Sequence, residues 1–186
     1  MLARERGFSL LEILIATAIS SVLLMGAARF LPALQRGVLE QARAQTVEDD
    51  LWQRTLAVAR HLQRAGYCAS RRCAGEAVRL GPGCALIRWD TRQTNTGAEK
   101  AIDNADVTGF RLRDGALETL RGAVSCEGKG WEKMTEPGRL RVEAFSVSRQ
   151  QIAGFAPVFT VALSARGRGR GASPVQASFS VTAYNL

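Results

Sequence analysis

The chain has 186 residues, a length that suits one globular domain with an extension and excludes two large domains. Hydrophobic residues make up 46% and charged residues 23%, an ordinary globular balance, but the apolar residues are concentrated in the first fifth of the chain. The formal net charge of +8 does not indicate a nucleic-acid-binding protein, because the arginines are scattered and aromatic residues are not interleaved with them.

The N-terminus is a short charged segment, MLARERG, followed from Phe8 by a long apolar run. No residue between Glu12 and Arg29 is charged, and the run reaches the lower limit of about 17 to 25 residues for a membrane-spanning helix. A secretory signal peptide would end in a small-residue cleavage site. Here the run continues into sequence of helical character, so we expect it to be retained as a membrane anchor.

Glu12 is a carboxylate close to the start of this apolar run. A charged side chain at the centre of a bilayer costs about 2.5 to 3.5 kcal/mol on insertion scales and calls for a partner. Cleavage between Gly7 and Phe8 would create an α-amino group that can neutralise Glu12 of a neighbouring subunit. The alternative is that Glu12 lies at headgroup depth and is solvated there.

The order of these residues resembles a known signal. A basic leader, Gly7, Phe8 and then SLLEILIA resembles the class III signal of type IV pilins and type II secretion pseudopilins. The resemblance implies that prepilin peptidase, a membrane aspartyl protease, cleaves after Gly7 and methylates the new amino group of Phe8. It also implies that Glu12 is the family's acidic assembly residue, with the leader in the cytoplasm and the bulk of the chain in the periplasm.

The helix is expected to continue beyond the membrane as an amphipathic segment that ends near Ala65-Gly66. Its apolar stripe consists of Val47, Leu51, Val58 and Leu62. Pro32 and Gly37 are expected to interrupt the helix, with a kink or a weakened turn at Pro32. In the pilin family such a proline marks a segment that can loosen in the filament, and a static kink is the alternative.

Four cysteines follow the helix, and an even number in an exported domain favours two disulfides, in one of three connectivities. Proximity in sequence suggests Cys68 with Cys73. That choice leaves Cys84 with Cys126. A metal site is not expected, because the chain has no C-x-x-C motif and one histidine, His61.

Short alternating segments in the rest of the chain predict β-strands. One strand, Ala85 to Trp89, is expected between turns at 81–83 and 94–97. Asp114-Gly115 between two alternating runs predicts a hairpin of strands 107–113 and 116–120. Three more strands are predicted at 140–149, 157–165 and 175–184.

The segment from Arg166 to Gly171 alternates arginine and glycine and includes Arg170. This pattern predicts a mobile basic loop. Such a loop could contact DNA, anionic lipid or an acidic partner subunit, and a purely solvated loop is the alternative. The aromatic and histidine side chains expected to pack rather than to bind a cofactor are Trp52, His61, Trp89 and Trp131. The sequence has no nucleophile elbow, P-loop or H-E-x-x-H motif, so neither an enzyme nor a cofactor is expected.

These patterns predict an α+β, pilin-like fold in which a long N-terminal helix, first transmembrane and then amphipathic, packs on an antiparallel β-sheet. The expected segments are a cleaved cytoplasmic leader (1–7), a transmembrane assembly helix (8–31), an amphipathic periplasmic half of the helix (32–66) and a periplasmic β-rich head (67–186).

Longer stretches resemble one branch of minor pilins, the enterobacterial prepilin peptidase-dependent protein B family, which is related to the PilW and J-type minor pseudopilins. The resemblance is carried by AISSVLLMGAARFLPALQR, HLQRAGYC, FRLRDGALETLRGAVSCEGKGWEKM and VTAYNL, and it is weakest at 91–100 and in the Arg-Gly loop. It implies a low-copy inner-membrane subunit that primes filament growth and can remain at the pilus tip.

The implied partners are prepilin peptidase, other minor pilins, the major pilin and inner-membrane lipid, and nucleic acid is not expected. Because the chain retains Glu12, we expect it to occupy an interior place in the priming complex. A major pilin, a type II secretion minor pseudopilin and a DNA-uptake minor pilin are the alternatives.

Overall fold

The computed structural model describes residues 9–69, 75–90, 107–168 and 173–186. In these ranges one helix, α1 (Leu10–Arg64), precedes eight strands in two antiparallel sheets, and the chain divides into two compact units, residues 1–44 and 45–186. The strands are β1 (Val78–Gly81), β2 (Cys84–Arg88), β3 (Val107–Arg113), β4 (Ala116–Arg121), β5 (Glu132–Lys133), β6 (Leu140–Gln150), β7 (Val158–Gly167) and β8 (Pro174–Thr182). The predicted α+β class is confirmed, with two sheets in place of one.

The helix α1 is continuous across Pro32 and Gly37, so neither residue interrupts its helical conformation. Proline has no backbone N–H, and the carbonyl four residues earlier therefore loses one hydrogen bond. The helix continues to Arg64 despite that loss, and the predicted interruption is wrong. A kink at Pro32 stays a prediction.

The first sheet has the strand order β1-β2-β3-β4-β5. The predicted hairpin is confirmed: β3 pairs with β4 across Asp114 and Gly115, whose φ angles of 52° and 78° are those of a two-residue type I′ turn. The predicted connector strand is β2, which ends one residue before Trp89. The prediction omitted its partner β1, a four-residue strand with one buried residue, because so short a segment shows no clear alternation.

The second sheet has the order β6-β7-β8, with a bulge in β6 between Val142 and Ala144. Strand β7 extends through Arg166 and Gly167, which were predicted to begin a mobile loop. A side chain is disfavoured at Gly167, because an added Cβ would lie 2.9 Å from Val47 Cγ2 of α1. The close approach of strand and helix explains why this position of β7 is a glycine, which pairs with Leu140 of β6. Residues 169–172 of the predicted loop lie outside the described residues.

The core of residues 45–186 forms where α1 packs against both sheets. The predicted stripe is confirmed, since Leu51, Val58 and Leu62 are each 0% exposed and Val47 packs at the edge of the core. Thr55 is also fully buried, and its hydroxyl donates to the backbone carbonyl of Leu51 at 2.9 Å. This local bond lets a polar residue occupy the buried stripe.

Gly66 lies two residues after Arg64, the last residue of α1, and has a φ of 80°, as a glycine C-cap requires. The C-terminal residues of the chain pack directly on it. A Cβ at Gly66 would lie 2.5 Å from both the carbonyl oxygen of Asn185 and Cδ2 of Leu186. The end of the helix and the end of the chain are therefore fixed against each other.

Replacing Gly66 by alanine should lower the free energy of unfolding by about 2 kcal/mol or more, through left-handed backbone strain and the close contact with Asn185. The expected fall in Tm is about 4 to 8 °C, measured by circular dichroism of the full chain in detergent. Gly138→Ala is the matched control, because no atom lies within 4 Å of a Cβ at that position. Equal melting temperatures for the two variants would contradict the role given to Gly66.

Candidate assembly site

The predicted cleavage residues Gly7 and Phe8 lie outside the described residues. The described chain begins at Ser9, which occupies the N-cap of α1. The backbone N–H of Glu12 donates to the Ser9 carbonyl at 3.0 Å, and that of Ile13 donates to the same oxygen at 3.2 Å. These bonds close the first turn of the helix around Ser9.

Glu12 lies in this first turn, and its carboxylate accepts a hydrogen bond from the backbone N–H of Ser9 at 3.3 Å. The Ser9-Leu-Leu-Glu12 spacing is that of a capping box, in which the acidic side chain reaches back to the N-cap residue. A neutral N–H offers a hydrogen bond but no positive charge. The carboxylate is therefore positioned by its own helix while its charge is left without a cation among the described residues.

The sequence analysis missed Ser9, although the S-x-x-E spacing carries the signal for a capping box. The apolar residues around Glu12 indicate a role for its charge, whereas its hydrogen bond with Ser9 is indicated only by the spacing of the two residues.

The apolar side chains of α1 before residue 32 are exposed in the part of the chain that the structure describes. Twelve large ones are each more than half exposed: Leu10, Leu11, Ile13, Leu14, Ile15, Ile19, Val22, Leu23, Leu24, Met25, Phe30 and Leu31. Burial of one such side chain is worth about 1.5 to 3 kcal/mol, so this surface requires an apolar environment. By length and composition, the helix is long and apolar enough to cross a membrane.

Two hydroxyl groups within the apolar segment, those of Thr17 and Ser21, bond to carbonyls of the helix itself. Thr17 donates to the carbonyls of Ile13 at 2.9 Å and Leu14 at 3.0 Å, and Ser21 donates to the carbonyl of Ala18 at 2.8 Å. Lipid offers these groups no hydrogen-bonding partner. Glu12 is thus set apart from the neutral polar residues of the same segment, because a backbone carbonyl cannot satisfy a carboxylate.

In the head, Cys84 of β2 and Cys126 are joined by a disulfide that links the first sheet to the loop 122–131. Cys73 of the other predicted pair, with Cys68, lies outside the described residues, and that pairing stays a prediction. Among the described ranges, no group of three or more His, Cys, Asp or Glu side chains is placed to hold a metal ion.

Arg111 also connects the loop 122–131 to the first sheet. Its Nε donates to Glu118 Oε2 at 2.8 Å, its Nη1 donates to the carbonyl of Cys126 at 2.9 Å, and its guanidinium lies 4.3 Å from the ring centroid of Trp131. Arg111 and Glu118 are directly opposite each other on β3 and β4. The ion pair, the disulfide and the aromatic ring together hold the loop over the outer face of the first sheet.

His61 and the tryptophans pack as predicted. The His61 ring lies 5.1 Å from that of Phe110 and 6.2 Å from that of Trp89, both edge to face, and its Nδ1 is 2.9 Å from the carbonyl of Ala57. Trp52 packs against the core that α1 forms with the two sheets. Trp131 packs against a smaller cluster on the outer face of the first sheet, formed by Cys84, Leu86, Val107 and Ala123.

Comparison with known proteins finds similarity along the whole chain. Residues 40–183 match the family described as prepilin peptidase-dependent protein B, and residues 2–28 match the prokaryotic N-terminal methylation motif. Prepilin peptidase-dependent protein B of Escherichia coli (strain K12) is 50% identical over 188 residues, with 100% of each chain covered. No solved structure matches the chain.

Proposed function

The chain belongs to the prepilin peptidase-dependent protein B family, and from that membership we propose that it is a minor pilin that primes the assembly of a type IV pilus. After processing by prepilin peptidase, it joins other minor pilins in an inner-membrane complex, takes an interior place there and can remain at the tip of the filament. The major pilin then adds to this complex.

The observation that carries the proposal is the match of residues 2–28 to the N-terminal methylation motif. In this assignment prepilin peptidase cleaves between Gly7 and Phe8 and methylates the amino group of Phe8. The leader 1–7 is cytoplasmic, the segment 8–31 crosses the inner membrane, and the remainder, 32–186, is periplasmic. The unpartnered apolar surface of α1 supports the membrane placement, because lipid or the helices of other subunits can cover it.

The position of Glu12 is an argument for the proposed assembly with other subunits. Its capping hydrogen bond from Ser9 leaves the carboxylate at the end of the helix where a neighbour's N-terminal amine would have to arrive. The amine of the processed Phe8 is a cation of the right size to balance it within the membrane. A subunit that retains both groups can pair with one neighbour through its amine and with another through its carboxylate.

The head is consistent with a periplasmic location. The disulfide between Cys84 and Cys126 belongs to the class of bonds that form and persist in oxidising compartments. A β-rich head on a membrane helix gives the subunit a surface for other heads and a separate one for lipid.

Co-expression of the full chain with a prepilin peptidase tests the proposal. N-terminal sequencing and intact-mass analysis should show loss of residues 1–7 and one added methyl group on Phe8. A Gly7→Val variant is the control, because a bulky side chain next to the scissile bond should block cleavage and leave Met1 in place. Recovery of the unsubstituted chain with Met1 still attached would contradict the proposal.

A further inference from the structure

Among the described residues, the two sheets have four edge strands, and three of them are protected against pairing with another chain. β1 has four residues and β5 has two, so neither offers a long hydrogen-bonding edge. β6 is long but bulged, it carries charged side chains, and its Val142 N–H donates to the carbonyl of Gly115 at 2.9 Å. Short length, bulges and charges are the usual protection of exposed edges.

The fourth edge, β8, lacks these protective features. Its nine residues, PVQASFSVT, include no charged side chain, and its pairing with β7 is regular from Pro174 to Thr182. No described strand pairs with its outer edge. Within the part of the chain that the structure describes, this edge of about 30 Å is therefore available to a further strand.

The backbone groups that point outward can be identified from the register. The N–H of Ala183 donates to the carbonyl of Pro157 at 3.0 Å and continues the β7-β8 pairing, in which Val158 is opposite Thr182. Hydrogen-bonded and non-hydrogen-bonded pairs alternate in an antiparallel ladder. The N–H groups that point away from β7 are therefore those of Gln176, Ser178, Ser180 and Thr182.

Phe179 shows that the core is also incomplete along this edge. It faces the same side of the sheet as Val161, its partner on β7, which is 0% exposed, yet Phe179 itself is 41% exposed. An aromatic side chain on the inner face of an edge strand is buried when another element packs beside it. One further strand beside β8 would therefore both pair with its exposed edge and cover the exposed ring of Phe179.

We propose that the outer edge of β8 binds a β-strand from another prepilin-type subunit, which extends the second sheet by strand addition. This inference rests on the proposed function and specifies how the head contacts a neighbour. The backbone groups of β8 supply the hydrogen bonds, and Phe179 supplies an apolar contact.

A second copy of this chain does not fit the edge in antiparallel pairing. Val47 of α1 lies against Gly167, near the start of β8, whereas Gly66 lies against Asn185, beyond its end. This part of α1 therefore runs in the direction of β8. Antiparallel pairing of two β8 strands would put the two Gln45 residues at opposite ends of the joined sheet, whereas two chains anchored in one membrane need them at the same end.

Site-specific crosslinking tests the proposal. The full chain, with a photoreactive amino acid in place of the exposed Gln176, is produced with prepilin peptidase and the other prepilin-type subunits of the same filament system. Ser178→Pro removes an N–H that points away from β7, so it should spare the β7-β8 ladder and block the added strand. We expect the crosslink yield to fall about tenfold in Ser178→Pro and to be unchanged in Ser178→Ala, which keeps the N–H.

A crosslink to a named prepilin-type subunit that is lost in Ser178→Pro supports the proposal. A crosslink that persists in that variant, or one that joins only two copies of this chain, overturns it. If subunits still co-purify without any crosslink at Gln176, strand addition is wrong and the proposed function stands. If processed chain co-purifies with no other subunit, the proposed function fails as well.

Amide hydrogen exchange gives a readout that does not depend on a variant's stability. In the isolated full chain, the amides of Ser178 and Ser180 should exchange faster than those of Ala177 and Phe179, which bond to β7. In the purified complex with other subunits, Ser178 and Ser180 should become at least about tenfold slower. Unchanged exchange at these two residues would overturn the proposal even if Ser178→Pro fails to fold.

Discussion

Replacement of Glu12 by alanine should reduce pilus priming by about a hundredfold. In the proposed assembly, the substitution leaves the N-terminal ammonium of a neighbouring subunit without its counter-charge, and an unpaired charge in a bilayer costs about 2.5 to 3.5 kcal/mol. Priming is measured as the amount of sheared pilus per cell in a strain whose copy of this protein carries the change. Cleavage after Gly7 should be unaffected, which separates assembly from processing.

Glu12→Gln distinguishes the charge of this side chain from its capping role. Glutamine can still accept the hydrogen bond from the Ser9 N–H but cannot balance a cation. If charge pairing drives assembly, Glu12→Gln should be nearly as defective as Glu12→Ala. If the carboxylate serves only to cap α1, worth about 0.5 to 2 kcal/mol, Glu12→Gln should prime like the unsubstituted protein, and the assembly role would be refuted.

The features predicted well from sequence are those determined by local chemistry. Asp114-Gly115 favours positive φ angles at both positions, and the strand predicted at 107–113 is the observed β3. The spacing of Leu51, Val58 and Leu62 fixes the buried face of α1, since residues at these intervals share one side of a helix.

The features that sequence left open depend on distant contacts. Strand β2 is buried on both faces, so its sequence does not alternate and gives no sign of the neighbouring β1. Gly167 has the sequence pattern of a flexible repeat, but it pairs with Leu140 in the second sheet, and the approach of Val47 explains why it is a glycine. The division into two sheets and the open edge of β8 likewise follow from tertiary packing, which periodicity does not encode.

One part of the head was predictable and was missed. The two-residue turn at Asp114-Gly115 sets Arg113 opposite Ala116 and therefore Arg111 opposite Glu118, two steps along the hairpin. Opposite charges at such positions indicate a cross-strand ion pair. Its burial was not predictable, because that depends on the loop 122–131 folding over it.

Glu118→Ala should lower the free energy of unfolding by about 3 to 5 kcal/mol, because it leaves the Arg111 guanidinium in a covered site without its carboxylate. The two side chains are 9% and 12% exposed, and their atoms Nε and Oε2 are 2.8 Å apart. The carbonyl of Cys126 and the ring of Trp131 remain as partners of Arg111, but neither carries a full negative charge. Denaturant unfolding of the full chain in detergent, with disulfides intact, measures the change.

Two control variants separate burial from charge. Glu143→Ala removes the partner of Arg166 from a bridge whose side chains are 46% and 37% exposed, so it should cost less than about 1 kcal/mol. The double variant Arg111→Met with Glu118→Leu removes both buried charges and should recover most of the stability that Glu118→Ala loses. If Glu118→Ala and Glu143→Ala cost the same, the buried pair contributes no more to stability than a surface bridge, and the loop is held by the disulfide between Cys84 and Cys126 and by the contacts of Arg111 with Cys126 and Trp131.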